Sequence, residues 1–363
     1  MTNKKLLIII TVLLFCQSLL LAQKPQRFGT TAASFLEMGV GSPGIAMGDA
    51  LVASTNDLFS IYWNPAGLAL MERNEVSFMY QPWVVEINSM FAGFGLVLPR
   101  IGTIGFSIFG LDYGDIEVTT MDYQAGTGEK YTAYDYVFSM SYARSLVNWF
   151  QFGATAKYIT SQIWHSKASA FAVDLGVLVQ TEFFSRTGRQ KDGMKIGMSI
   201  SNYGTRMRFD GYDLLFPVDI APDEQGNYQN VQGKYKMGHW ELPLLFRIGV
   251  AIDPIVTSNQ RVTIEADALH PNNMGESTNF GVQYKLTAPG FGDFFLRGGY
   301  KALFRLKTED KNNESFDSAQ YGATFGGGVK LWLSPSRCLK FDYAYQSIGV
   351  LGNVHCTSFS VVF

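Results

Sequence analysis

A chain of 363 residues with 29 Lys and Arg against 31 Asp and Glu, a formal charge of −2 and a pI near 6.1 carries no basic stripe, which argues against a nucleic-acid partner. The 47% apolar fraction is ordinary, but 14% aromatics, 37 glycines and 17% charged residues suit a β-rich protein whose outward side chains need not all be polar.

The first segment reads as an address. Lys4 and Lys5 precede an almost unbroken apolar run from Leu6 to Leu21, and Ala22 supplies a small residue before Gln23. That order predicts a cleavable secretory signal peptide over residues 1–22. The run is short for a membrane-anchoring helix of about 20 residues. Cys16 follows bulky Phe15, which disfavours lipoprotein processing. Cleavage would remove two lysines and take the net charge from −2 to −4.

Residues 23–73 do not alternate cleanly. Small residues, glycines and one short helical stretch predict a compact element that can pack inside a barrel mouth. Gly39-Val40-Gly41-Ser42-Pro43-Gly44 matches a dinucleotide fingerprint letter by letter. No strand precedes it, Pro43 is expected to disfavour the helix start, and no βαβ unit follows, so a nucleotide site is rejected.

Residues 74–363 break into alternating segments that predict an all-β fold, a transmembrane antiparallel β-barrel of about fourteen strands with the preceding segment as a hatch or plug. The strands are expected near 74–82, 88–99, 102–112, 133–145, 149–161, 168–182, 194–203, 242–252, 259–270, 276–286, 292–302, 319–333, 337–346 and 354–363. Short connections, such as Ser334-Pro335-Ser336, alternate with long ones at 113–132, 204–241 and 303–318; the basic stretch 183–193 is a longish exception on the short side. Trp149 and Trp332 fall near the predicted periplasmic ends, and Trp83, Trp164 and Trp240 near the external ends, where a bilayer favours indoles. Phe363 closes an alternating strand and resembles the C-terminal signal read by the barrel-assembly machinery. Outer-membrane lipid is therefore an expected partner, and the bacterial outer membrane the expected location.

The predicted inward positions collect charges of both signs, with Arg247, Glu265, Asp267, Lys285, Arg297 and Asp342 as a candidate polar network. Mixed signs fit a structural ion-pair interior or a contact surface for the plug. Cys338 and Cys356 fall near opposite ends of the last hairpin, with Cys356 expected near Tyr345, and are read as two free thiols. His165, His239, His270 and His355 map to external positions and converge on no metal site. Scattered serines identify no nucleophile with a base, so neither enzyme activity nor a cofactor is expected. The long loop 204–241 holds Phe209, Tyr212, Leu215, Phe216, Tyr228 and Tyr235 among acids and glycines. It is a candidate surface for a partner or a ligand, or else a self-packed lid.

One stretch carries a resemblance. Phe35 to Ala69, with its glycine-rich start, Ala46-Met47-Gly48-Asp49-Ala50, Asn56-Asp57 and Trp63-Asn64-Pro65-Ala66-Gly67-Leu68, resembles the opening of PorV/PorQ family proteins. That family is similar to the wider FadL-like long-chain fatty-acid transporters. The resemblance implies a hatch formed by Asn64, Pro65, Ala66 and Gly67. It also implies a role in type IX secretion, with secretion-system proteins or exported cargo as partners. The alternative it implies is a FadL-like channel for hydrophobic small molecules.

Overall fold

The computed structural model describes residues 29–226, 230–303 and 321–363. The expected signal peptide, Tyr228 and most of the 303–318 connection lie outside the described residues. Fourteen long strands form the wall: β1 (Glu75–Pro82), β2 (Asn88–Leu98), β3 (Gly102–Glu117), β4 (Lys130–Val147), β5 (Phe150–Ile163), β6 (Ser166–Gln180), β7 (Lys195–Gly204), β8 (Leu245–Val256), β9 (Gln260–Pro271), β10 (Ser277–Ala288), β11 (Gly292–Leu303), β12 (Ala323–Ser334), β13 (Arg337–Ser347) and β14 (Asn353–Val362). Each pairs antiparallel with its sequence neighbours, and β1 pairs with β14 from Glu75↔Val362 to Tyr80↔Thr357. The ring is closed. No described helix is long and apolar enough to cross a membrane, so crossing falls to strands.

Alternation sorts the faces as the period of two requires. In β14, Phe359 is exposed while Ser358 and Ser360 are buried, and in β13 Phe341 and Tyr343 are exposed on the same outer face. Register aligns Phe341, Phe359 and Phe78 side by side across three strands, giving an outward aromatic row. On a soluble protein such a row would be a liability; facing hydrocarbon it is the expected surface. Trp149, Trp240 and Trp332 are half exposed, whereas Trp63, outside the strands, is buried.

Several elements differ from the sequence expectation. β3 and β4 continue past residue 112 and before residue 133 as far as Glu117↔Lys130, so much of the predicted loop 113–132 is a projecting hairpin. Beyond the bilayer a ladder needs no apolar face, and Asp115 and Glu117 read as loop only because they are polar. The β5–β6 ladder likewise runs to Ile163↔Ser166, which leaves Trp164 and His165 as a two-residue turn with Trp164 at φ 52°. A short helix, α1 (Ser42–Ala46), does start at the glycine-rich motif, with Pro43 in its first turn, where a missing N–H and a fixed φ are tolerated. The expectation that Pro43 disfavours the helix start is thus corrected. The Ser42 N–H donates to Ser358 Oγ at 2.9 Å inside the packed lumen, so no phosphate cradle results.

Cys338 and Cys356 are free and buried, and register sets Cys356 opposite Ala344, one residue from Tyr345.

Placing a cation on the lipid row tests the facing directly. Phe359→Arg is expected to destabilise the barrel in bilayers by about 2–4 kcal/mol, as a charge near the midplane does. Tyr212→Arg on an external loop should change stability by less than about 0.5 kcal/mol. Equal effects in equilibrium urea unfolding would contradict the assignment of faces.

Candidate functional site

Residues 29–73 fill the lumen. They carry α1, a second short helix α2 (Ser60–Trp63) and two 3-10 turns at Ser34–Glu37 and Pro65–Leu70. At the external mouth the segment is tied to the root of loop 204–241, since Ala32 N–H donates to the Glu241 carbonyl at 2.9 Å. Asn273 Nδ2 on the neighbouring loop donates to Thr31 Oγ1 at 3.0 Å. At the other mouth the Arg73 guanidinium donates to the Pro335 carbonyl at 2.6 Å, just before β1 begins. The hatch therefore threads the barrel from its outer to its inner end.

The sequence-predicted Asn64, Pro65, Ala66 and Gly67 stand at the centre of this arrangement. Asn64 Nδ2 donates to the Val52 carbonyl at 2.9 Å and to the Val177 carbonyl of β6 at 3.0 Å. Its Oδ1 accepts the Ala66 N–H at 3.1 Å, which caps the turn that follows. Pro65 and Asn64 press on the wall where Gly153 of β5 stands opposite Gly176 of β6. A Cβ at either glycine would collide with the Asn64–Ala66 backbone or with the Asn64 side chain. Gly67 is equally confined, by Ser60 Oγ and Thr55.

The same device recurs around the ring. Gly197 of β7 faces Gly249 of β8 beneath Val52, and Gly281 of β10 faces Gly299 of β11 beneath Met47 and Gly48. Gly95 of β2 faces Gly105 of β3 against Leu58, Ile61, Leu68 and Met71. Four cross-strand glycine pairs thus form sockets in which the hatch lies close on the wall. Glycine in a strand interior weakens the strand unless a close approach demands it. Sequence reasoning missed these sockets, because the partner of each pair lies in another strand and the occupant lies up to about 250 residues away in the chain; an excess of strand glycines was the only available signal.

The predicted polar network resolves into separate groups. Asp267 Oδ2 accepts the N–H groups of Leu51 and Val52 at 2.9 and 3.1 Å. Glu265 accepts the Ala53 N–H at 2.6 Å and the Ser54 hydroxyl. Two wall carboxylates, both buried, thereby hold three successive backbone donors of the hatch. Arg247 lies over the rings of Tyr62 and Trp63, 5.2 and 5.7 Å from their centroids. Arg297 binds Asp342 at 2.6 Å and Gln283 at 2.7 Å, and Lys285 binds Asp293 at 3.0 Å. Beyond the predicted set, Lys301 binds Asp49 of the hatch at 2.5 Å. Of the six predicted residues, then, Arg247, Glu265 and Asp267 touch the hatch, while the others pair within the wall.

Between these polar contacts the hatch buries an apolar core. Phe35 stacks on Phe109 with centroids 5.9 Å apart, and Leu36 and Val40 pack with Leu111, Val137 and Ile159 of the wall. Trp63 donates from Nε1 to the Val40 carbonyl at 2.8 Å and lies against Gly44.

The predicted loop residues divide. Phe209 packs against the lumen core. Leu215–Val218 pairs with Val231–Lys234 as a two-stranded ribbon, on which Phe216 stacks with Tyr235 at 4.2 Å. Tyr212 and Tyr235 remain exposed. The ribbon is clasped to the β5–β6 turn by Asp213, which accepts from His165 N–H at 3.0 Å and Ser166 Oγ at 2.8 Å and lies 3.0 Å from His165 Nδ1. Burial pushes the Asp213 pKa up, but hydrogen bonds from Ser166 and His165 outweigh it and hold the carboxyl below the usual range.

The family described as "Type IX secretion system protein PorV" matches residues 21–221, more than half of the chain. The chain belongs to the PorV family. No curated protein matches it significantly. Solved structures with the same fold include the CymD monoaromatic hydrocarbon channel, with TM-score 0.53 and 10% identity over 89% of this chain and 96% of that one. The Ralstonia pickettii toluene transporter TbuX gives 0.52 and 12% over 89% and 97%, and a Pseudomonas aeruginosa FadL homologue 0.53 and 9% over 89% and 98%. As a PorV-family barrel, the chain is an outer-membrane protein linked to type IX secretion.

Two outcomes follow from the hatch and the clasp. Gly176→Val is expected to overpack its socket, cost about 1–3 kcal/mol and unseat Asn64; in planar bilayers it should pass ions that the parent does not, and a silent variant of unchanged stability would contradict the socket. The clasp has the sign of a depressed carboxyl: it is fully present above the unfolded pKa and lost as pH falls through the folded one. A spin label at Tyr212→Cys should therefore keep its mobility between about pH 8 and 5 and loosen only below the carboxylate range, whereas Asp213→Asn should loosen it throughout.

Proposed function

We propose that this barrel is a non-enzymatic docking component of type IX secretion, holding exported proteins or translocon subunits at the cell surface through its external loops. The supporting observation is the seal. A segment anchored at both mouths and seated in four glycine sockets suits a barrel that works from its outer rim rather than through its bore. Tyr212 and Tyr235 on the external ribbon, and Met121 and Tyr123 on the projecting β3–β4 hairpin, offer the exposed apolar and aromatic area that protein contacts use. Export would begin with residues 1–22, and Phe363 would be the residue read by the barrel-assembly machinery.

A second reading, uptake of hydrophobic small molecules, is favoured by one feature. The outer half of the lumen is lined by Phe109, Leu111, Val137 and Ile159, which would border an apolar passage if the hatch left them. Uptake requires the sockets to empty, whereas docking does not.

The two readings separate in the native host. Photo-crosslinking residues placed at Tyr212 and Tyr235 should capture secretion-system or exported proteins. Recovery of lipid and barrel-assembly components alone, together with slower growth of the deletion strain on hydrophobic compounds, would replace docking with uptake.

A further inference from the structure

The periplasmic mouth of the lumen holds a cavity of about 890 Å³, within the range that takes a small organic ligand. Its roof is the hatch, at Leu51, Ser54 to Asp57 and Met71. On the wall, Lys195, Arg261, Lys285, Lys330 and Lys340 stand toward the short-turn ends of β7, β9, β10, β12 and β13, and all five line the cavity. Register makes them an arc, with Arg261 directly opposite Lys285 and Lys330 directly opposite Lys340. Like charges directly opposed on neighbouring strands repel.

Acids offset the arc in number but not in exposure. Arg261 is 31% exposed over Asp192 and Asp253, which are at 0 and 1%. Lys285 is 32% exposed over Asp293 at 3%, and Lys340 is 21% exposed over Glu75 at 4%. Glu75, Asp293, Asp342 and Asp57 also line the cavity, but Glu75 and Asp293 are almost inaccessible, whereas the ammonium groups paired with them are the more exposed partners. Asp342 is occupied by Arg297, and Asp57 in the roof accepts the Phe59 N–H at 3.0 Å. Glu72 and Arg73 stand together at the lip. Lys330 forms no ion pair among the described residues, although its cross-strand neighbour in β11 is Asp293, which binds Lys285 instead. The more accessible charges on the wall are therefore cationic, and one of them, Lys330, has no ion-pair partner among the described residues.

We propose that the periplasmic mouth binds a small multivalent anion carrying two or more phosphate or carboxylate groups, received by Lys285, Lys330 and Lys340. Phosphate and carboxylate oxygens both accept from lysine ammonium groups, and two charged groups on one molecule can bridge neighbouring strands along the arc. The site is independent of the docking reading, because it lies at the opposite end of the barrel from the external loops.

Calorimetric titration of the purified full-length barrel with pyrophosphate, citrate and chloride provides the test. Pyrophosphate or citrate, or both, should bind one to one, lose affinity steeply with added salt, and exceed chloride; the tighter of the two names the chemical source. Lys330→Gln should weaken binding about tenfold and Lys330→Arg should keep it, with heat-modifiable gel mobility reporting that each variant is folded. The proposal is overturned if neither multivalent anion titrates above chloride, if a folded Lys285→Gln/Lys330→Gln variant binds like the parent, or if only a glutamate-rich peptide binds.

Discussion

The ladder joining β1 to β14 is the contact on which the molecule depends. In hydrocarbon an unpaired N–H or C=O finds no water, so a membrane-crossing sheet must have no free edge. Once Glu75 through Tyr80 has paired with Thr357 through Val362, the outer face is free to be apolar and the inner face becomes a private interior. That interior must be filled by something. The chain fills it with the residues immediately before β1, so the strand that closes the ring also fixes where the hatch leaves the lumen.

The hatch has to satisfy its own backbone in a narrow space, and the wall meets that need in two ways. Carboxylates on β9 accept the amides of residues 51–53, and glycines facing each other across strands let the hatch backbone lie where a side chain would otherwise project. Each glycine pair weakens its own ladder and recovers stability only when the hatch is seated. Wall and hatch are thus mutually dependent. This is the physical reason for treating the filled lumen as the ground state of the barrel.

How much of this was legible in the sequence follows from the range of each signal. Strands are local: a period of two over about ten residues identifies them, and the barrel, its strand number and its lipid face could all be read. Ladder ends were less legible where the ladder leaves the bilayer, as at Glu117↔Lys130, because polarity stops marking the pattern there. Asn64 to Gly67 was recognisable as hatch through resemblance, but its sockets at Gly153 and Gly176 were not, since only the closed ring brings them together. Glu265 and Asp267 could be placed as inward charges; that they bind backbone rather than a basic side chain depends on where residues 51–53 run. The loop aromatics looked alike in sequence, yet tertiary packing turned Phe209 inward and left Tyr212 outside.

The central claim is that the hatch is a fixed part of the barrel wall rather than a loose plug. Amide hydrogen exchange of Leu51, Val52 and Ala53 in lipid nanodiscs tests it most directly. A fixed hatch predicts protection as strong as that of the β9 amides beside it, because these amides open only when the whole structure does. Exchange orders of magnitude faster than β9 would show that the hatch leaves its sockets on its own, and would contradict the account.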